Sequence, residues 1–248
     1  MSETGRRRYQ DVAEAIKAEI LAKGLAAGDR LRTERQMSED LGVSRSLVRE
    51  AIIMLEIEGF VEVRQGAGIF IARLPDGDTA EAAGDIGPFE LIQARQLLES
   101  SIASFAATMV TKADVVRMRE ALDMERRAIE QGSDDYSGDE LFHRLIAEAT
   151  QNSVLVDMQC ELWRKRERSP MWAKLHSRIF DDSYRGQWLS DHQAILTALQ
   201  RKNAADAKQA MWQHLENVRQ TLLALSDVED PQFDGYLFDA RPVEIASG

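Results

Sequence analysis

The chain has 248 residues, 44% of them hydrophobic and 29% charged, with a net charge of −11 and a single cysteine. That length suits two domains, and no apolar run approaches the roughly 18 residues of a membrane span, which excludes a spanning helix and a membrane partner. Cys160 excludes an internal disulfide, and the opening MSETGRRRYQ lacks the apolar core of a signal peptide, so a cytoplasmic location is expected. The acidic total excludes a general nucleic-acid binder, but the charge is unevenly placed. Residues 1–75 hold twelve Lys+Arg and twelve Asp+Glu, so all of the excess negative charge falls beyond them. A neutral head binds DNA if its arginines share a face.

After an arm with three consecutive arginines, Tyr9 to Lys23 reads as a helix with Val12, Ala13, Ile16 and Ile20 on one face. Gly24 and Gly28 end it. Thr33 is an N-cap for a short helix to Leu41, and Gly42 makes a tight turn. A third helix starts at Ser44 or Ser46 and runs to about Glu58, with Val48, Ala51, Ile52 and Leu55 inward. The period then changes. Val61–Arg64 and Ile69–Ile71 alternate like strands about the turn Gln65-Gly66-Ala67-Gly68. Helix, helix, turn, helix, hairpin is the order of a winged helix-turn-helix, assigned to residues 1–73.

Residues 74–87 are small, acidic and rich in glycine, and read as a linker. Beyond them helices are expected near 88–109, 112–131, 138–150, 153–168, 172–182, 185–201 and 203–226, with Pro170 as a break. The fold class is therefore mainly α: the winged head followed by an all-helical domain at 88–226. The tail, 227–248, carries Phe233, Tyr236, Leu237 and Phe238, so part of it is expected to pack down.

A recognition helix must bring donors to base edges in the major groove. The third helix leaves Ser44, Arg45, Ser46 and Arg49 outside at its start, with Arg45 and Arg49 four residues apart. Arg35 opens the preceding helix, and Arg64, Gln65, Gly66 and Gly68 form the tip of the wing, where glycine lets the backbone approach the minor groove. One such head contacts few base pairs, so a homodimer on an inverted-repeat operator is expected. The run LRTERQMSEDLGVSRSLVREAIIMLEIEGFVEVRQGAGIFI resembles the DNA-binding domain of the GntR family over residues 9–73. Arg32 and Leu47 depart from that pattern, since the family commonly has proline at both places.

The chain has four histidines: His143, His176, His192 and His214. Asp139 lies four residues before His143 on a helix, so both face one side. His192 and His214 fall on the last two helices. A bundle that points them inward assembles one carboxylate and three imidazoles, a set suited to zinc, nickel or another divalent first-row metal. Residues 88–225 resemble the all-helical FCD effector domain of FadR-type GntR regulators. That resemblance implies Asp139, His143, His192 and His214 as ligands of a divalent metal ion, with zinc the first expectation. A carboxylate ligand of the domain would pair with arginine. Arg95, in QARQLLES, matches an arginine that opens many such domains, and Arg166 is a second candidate. Asn152, Trp172 and His176 complete the expected cavity, and pairing of Arg95 with Glu99 is its ordinary alternative.

GPFELIQARQLLESSIASFAATMVT, AEATQNS, PMWAKLHS, AMWQHLENV and FDGYLFD are similar to the hexuronate-utilisation regulators of that family. This implies a repressor of hexuronate (glucuronate, fructuronate) catabolism genes, released from DNA by a small acidic sugar. The alternative reading of an Asp/His3 site is a metalloenzyme acting on a uronate. The DNA-reading head argues against it, and no enzyme is expected.

Overall fold

A computed structural model describes residues 7–64, 66–74, 85–179 and 184–226. The described residues form two compact units. The first holds those up to 87 with 173–179 and 223–226, and the second holds 88–172 and 184–222.

The first unit begins with α1 (Arg8–Ala22), α2 (Glu34–Leu41) and α3 (Arg45–Ile57). Helix α1 buries Val12, Ala13, Ile16 and Ile20, the stripe its periodicity predicts. Thr33 caps α2, its hydroxyl accepting from the Gln36 amide at 3.1 Å. Gly42 ends α2 with φ at +65°, a left-handed conformation that glycine adopts without a steric penalty. Of the two candidate caps of α3, Ser44 takes the position, accepting from the Leu47 amide at 3.3 Å. Strands β1 (Val61–Arg64) and β2 (Gly68–Ile71) pair antiparallel from Val61↔Ile71 to Arg64↔Gly68. Val48, Ala51, Ile52 and Leu55 of α3 pack with Phe60, Ile69 and Ile71 into one core. The winged helix-turn-helix is thereby present.

The second unit is built from α4 (Pro88–Met109), α5 (Lys112–Glu130), α6 (Ser137–Glu148), α7 (Ser153–Arg168), α8 (Pro170–His176), α9 (Tyr184–Gln200) and α10 (Ala204–Leu225), although the last residues of α8 and α10 group with the first. Its core joins Ala103, Ala106 and Ala107 of α4 to Phe142 and Ile146 of α6, Ile195 and Leu199 of α9, and Met211 and Leu215 of α10. Alanines on α4 keep the helix axes close. Gly138 does the same for α6, where an added Cβ would lie 2.5 Å from the Glu125 backbone nitrogen. Pro170 opens α8 rather than breaking the chain before it. Its missing N–H falls where a helix has no acceptor to offer, and Ser169 Oγ accepts from the Trp172 amide at 3.0 Å. Most of the expected linker (75–84) and all of the tail 227–248 lie outside the described residues.

Candidate functional site

On the head, Arg35 is 73% exposed at the start of α2, with Glu39 3.9 Å away. Ser44 is exposed, and Arg45 and Ser46 are half-buried in the first turn of α3. Ser44 already spends its hydroxyl on the cap and on Ser46 Oγ at 3.0 Å. Arg64 is exposed on β1, bonded to Glu62 at 2.8 Å and stacked 4.5 Å over Phe70. Gly66 is exposed with open space around it, whereas Gly68 is buried. A Cβ on Gly68 would meet only the flexible end of Arg30, at Nε 2.7 Å, and it is the φ of +108° that calls for glycine there. Gln65 lies outside the described residues.

Arg49 does not stand outside the helix as its spacing from Arg45 suggests. It is fully buried, and its Nε donates to Glu34 Oε2 at 2.8 Å. A second guanidinium nitrogen donates to Ser226 Oγ at 2.7 Å and to the Leu223 carbonyl, all within the first unit. A guanidinium withdrawn from water needs its charge paired and its N–H groups satisfied, and Glu34 supplies the charge.

In the second unit, three histidines from three helices meet. His192 Nε2 lies 3.3 Å from His143 Nε2 and 3.1 Å from His214 Nε2, and all three rings are buried. Asp139 Oδ1 adjoins two of them, 3.3 Å from His143 Nε2 and 3.6 Å from His192 Nε2. The four residues grouped in the sequence are thus brought together by α6, α9 and α10. Each ring also turns its other nitrogen to a carboxylate. Glu99 accepts from His143 Nδ1, Glu125 accepts from His192 Nδ1 at 2.8 Å, and Asp191 lies 3.6 Å from His214 Nδ1. With Nδ1 of His143 and of His192 so engaged, the three Nε2 atoms are left facing one another, as ligands of a single cation would be.

The donor set fits such a cation. Two ligand atoms about 2.05 Å from zinc and at the tetrahedral angle stand about 3.4 Å apart, close to the separations seen. Carboxylates behind the rings fix their tautomers, as they do around bound metals. The charges agree as well. Glu99, Glu125, Asp139 and Asp191 all lie against the rings, and only Glu99 and Asp139 are acted on by Arg95 or Arg166, which leaves an acidic excess beside the histidines. The protonation equilibria reflect the same excess. Burial opposes charge on Glu99, yet Arg95 and His143 hold it down at about 2. Burial likewise opposes charge on Asp139, and the hydrogen bond and charge of His143 hold it below the usual range. His143 is pushed up to about 9 against its burial by Glu99 and Asp139, while burial, then His192, lower His214 to about 3.

Arg95 is buried and donates to Glu99 Oε1 at 2.6 Å, so it steadies the carboxylate behind His143. Arg166 has no ion pair among the described residues. It lies 4.5 Å over Trp163 and 5.0 Å over both Tyr136 and Trp172, and burial lowers its pKa. Tyr136 and Tyr184 share a hydrogen bond at 2.8 Å, and the buried Arg185 stacks 4.4 Å over Tyr136. Trp172 is buried beside Arg166. Asn152 is exposed and caps α7, accepting from the Val154 amide at 3.1 Å. His176 is half-buried and groups with the first unit, apart from the histidine cluster. Sequence reasoning missed Glu125, Asp191, Tyr136, Tyr184 and Arg185.

Residues 8–71 match the family described as "Bacterial regulatory proteins, gntR family", and residues 90–217 match the FCD domain. Among similar proteins, the "Uxu operon regulator" of Haemophilus influenzae is 52% identical over 96% of this chain and 91% of its own length. The "Uxu operon transcriptional regulator" of Escherichia coli K12 is 51% identical over 97% of this chain and 96% of its own. The "Exu regulon transcriptional regulator" of the same strain is 44% identical over 96% and 93%.

Proposed function

The chain belongs to the gntR family of bacterial regulatory proteins, with an FCD domain behind its DNA-binding head, and from that premise we propose that it represses hexuronate catabolism genes until a hexuronate releases it from its operator. It is a transcription regulator and not an enzyme, as its relatives are named. The observation that carries the reading is the conjunction in one chain of a winged head and a buried His143–His192–His214 centre lying with Asp139. The names of the relatives supply the sugar class, and Arg166, a cation with aromatic neighbours and no ion pair among the described residues, supplies the complement for an acid.

In this reading the domains are 1–73 for DNA, 74–87 as linker, 88–226 for the effector and 227–248 as tail. Arg35, Ser44, Arg45 and Ser46 meet the major groove, and Arg64, Gln65 and Gly66 meet the adjacent backbone. Arg49 and Gly68 act by shaping the head. Asp139, His143, His192 and His214 hold a divalent ion, zinc first, which supplies a Lewis-acidic contact to an effector oxygen. Arg166 pairs with the effector carboxylate, while Trp163 and Trp172 keep water from that pair. Two copies bind an inverted repeat in the cytoplasm; among the described residues no helix is long and apolar enough to cross a membrane. Effector binding shifts the population away from the DNA-competent state.

Fluorescence anisotropy on an inverted-repeat operator, with a panel of hexuronates, tests this. At least one should weaken binding tenfold or more. Unchanged affinity across the panel would falsify the release mechanism.

A further inference from the structure

Gln159 on α7 is 2% exposed, and among the described residues neither its amide oxygen nor its amide nitrogen has a hydrogen-bond partner. Buried amides are nearly always paired, so an orphaned one marks a place where something else belongs. Its position narrows what that is. Gln159, Trp163 and Arg166 stand at i, i+4 and i+7, hence on one face of α7. Trp163 on that face lies under both Arg95, at 5.4 Å, and Arg166, at 4.5 Å. Helices α6 and α7 are joined by a short connection, and Arg166 stacks on Tyr136, two turns before His143. Two turns back along α7 from Arg166 therefore bring Gln159 level with His143. A second orphan comes from another wall. Trp188 Nε1 is buried with no acceptor among the described residues, in the α9 row Tyr184, Trp188, His192, one turn from the histidine centre.

We propose that Gln159 is a specificity-determining residue that reads a pair of neighbouring hydroxyls on the effector, which is thereby a polyhydroxylated acid rather than a simple carboxylic or dicarboxylic acid. This rests on the effector reading above. A primary amide offers one acceptor and one donor side by side in a plane, the complement of a vicinal diol in which one hydroxyl donates and the other accepts. Seven residues of helix place Arg166 and Gln159 about 10 Å apart along the axis. An extended six-carbon chain with a hydrogen bond of about 2.9 Å at each end spans that interval. The carboxylate then meets Arg166 and the diol meets Gln159. Trp188 Nε1 gives a further hydroxyl its donor.

Isothermal titration of the metal-loaded full chain with a hexuronate and with adipate, the six-carbon diacid without hydroxyls, tests the assignment. The wild type should bind the hexuronate at least a hundredfold more tightly, since a site built to bond hydroxyls rejects a ligand that lacks them. Gln159→Met keeps the volume and removes an amide that has no internal partner, so folding and effector-free operator affinity should be retained. Its hexuronate affinity should fall tenfold or more while adipate binding stays level, closing the gap between the two acids. An unchanged gap in Gln159→Met overturns the role of Gln159 alone. Equal binding of both acids by the wild type overturns it without any variant. A wild type that binds no hexuronate overturns the effector reading and this assignment with it.

Discussion

Arg45 and Arg49 are alike on paper and differ in the fold. Arg45 is half-buried in the first turn of α3, whereas Arg49 is sealed against Glu34, fifteen residues earlier. Arg45→Ala should weaken operator binding tenfold or more with an unchanged melting temperature. Arg49→Ala removes a buried guanidinium together with its bonds to Glu34, Ser226 and the Leu223 carbonyl and should lower the stability of the head by more than about 1 kcal/mol in denaturant unfolding; a loss within about 0.5 kcal/mol would show that these bonds do not hold the head together. Around the histidines, His192 has the most shared position, within 3.3 Å of both other rings. His192→Ala should reduce bound metal to below a tenth of stoichiometric by elemental analysis. Glu125→Gln, which leaves all four candidate ligands in place, should weaken metal binding about tenfold to a hundredfold; wild-type affinity there would show that the Glu125 hydrogen bond does not tune the site. The cluster of Asp139, His143, His192 and His214 was legible because four histidines leave few combinations and Asp139–His143 has helical spacing. Their supporting acids were harder to see, since an acid on a helix is usually solvated. Glu125 did leave a trace: it interrupts the buried stripe Met118, Leu122, Ala128.

Hydrophobic period placed the helices well, because burial of one face is what fixes each of them. It failed where a single residue has two uses. Pro170 reads as a break when only its interior penalty is considered, yet at the first helical position that penalty vanishes. Asn152 was assigned to the cavity although Asn before Ser at a helix start is capping chemistry, and the structure uses it so. Gly138 was not singled out at all, because nothing in sequence reveals that another backbone passes within contact distance. Gly138→Ala should force α6 from α5, lower the melting temperature by several degrees and weaken metal binding. Gly186→Ala, on α9 with open space around it, is the control and should be neutral or stabilising by up to about 1 kcal/mol. Equal effects of the two would refute the close approach.

At the scale of the whole chain, metal and protons compete for the same nitrogens. Ligands must be deprotonated to bind, and His143 keeps its proton up to about 9 in the metal-free site, so metal affinity should rise with pH toward about 9 and weaken steadily as pH falls below it. Chelation at pH 7.5 should lower the melting temperature of the helical unit, and added zinc should restore it; a melting curve indifferent to both would mean that the histidines close on one another without help. The charge division read from sequence persists here: the head carries no net charge to spare, so its grip on DNA depends on where a few arginines point.

The three imidazoles come from helices spread over more than seventy residues, and none of their rings reaches solvent. A dication held there would meet bulk water only past the partly exposed Asp139, so exchange should wait largely on the helices parting. Its residence time is then set by an opening rate and not by ligand chemistry. Such a regulator would keep, for its lifetime in the cell, whichever ion was at hand when it folded, and would report on sugar acids while staying deaf to short swings in metal supply.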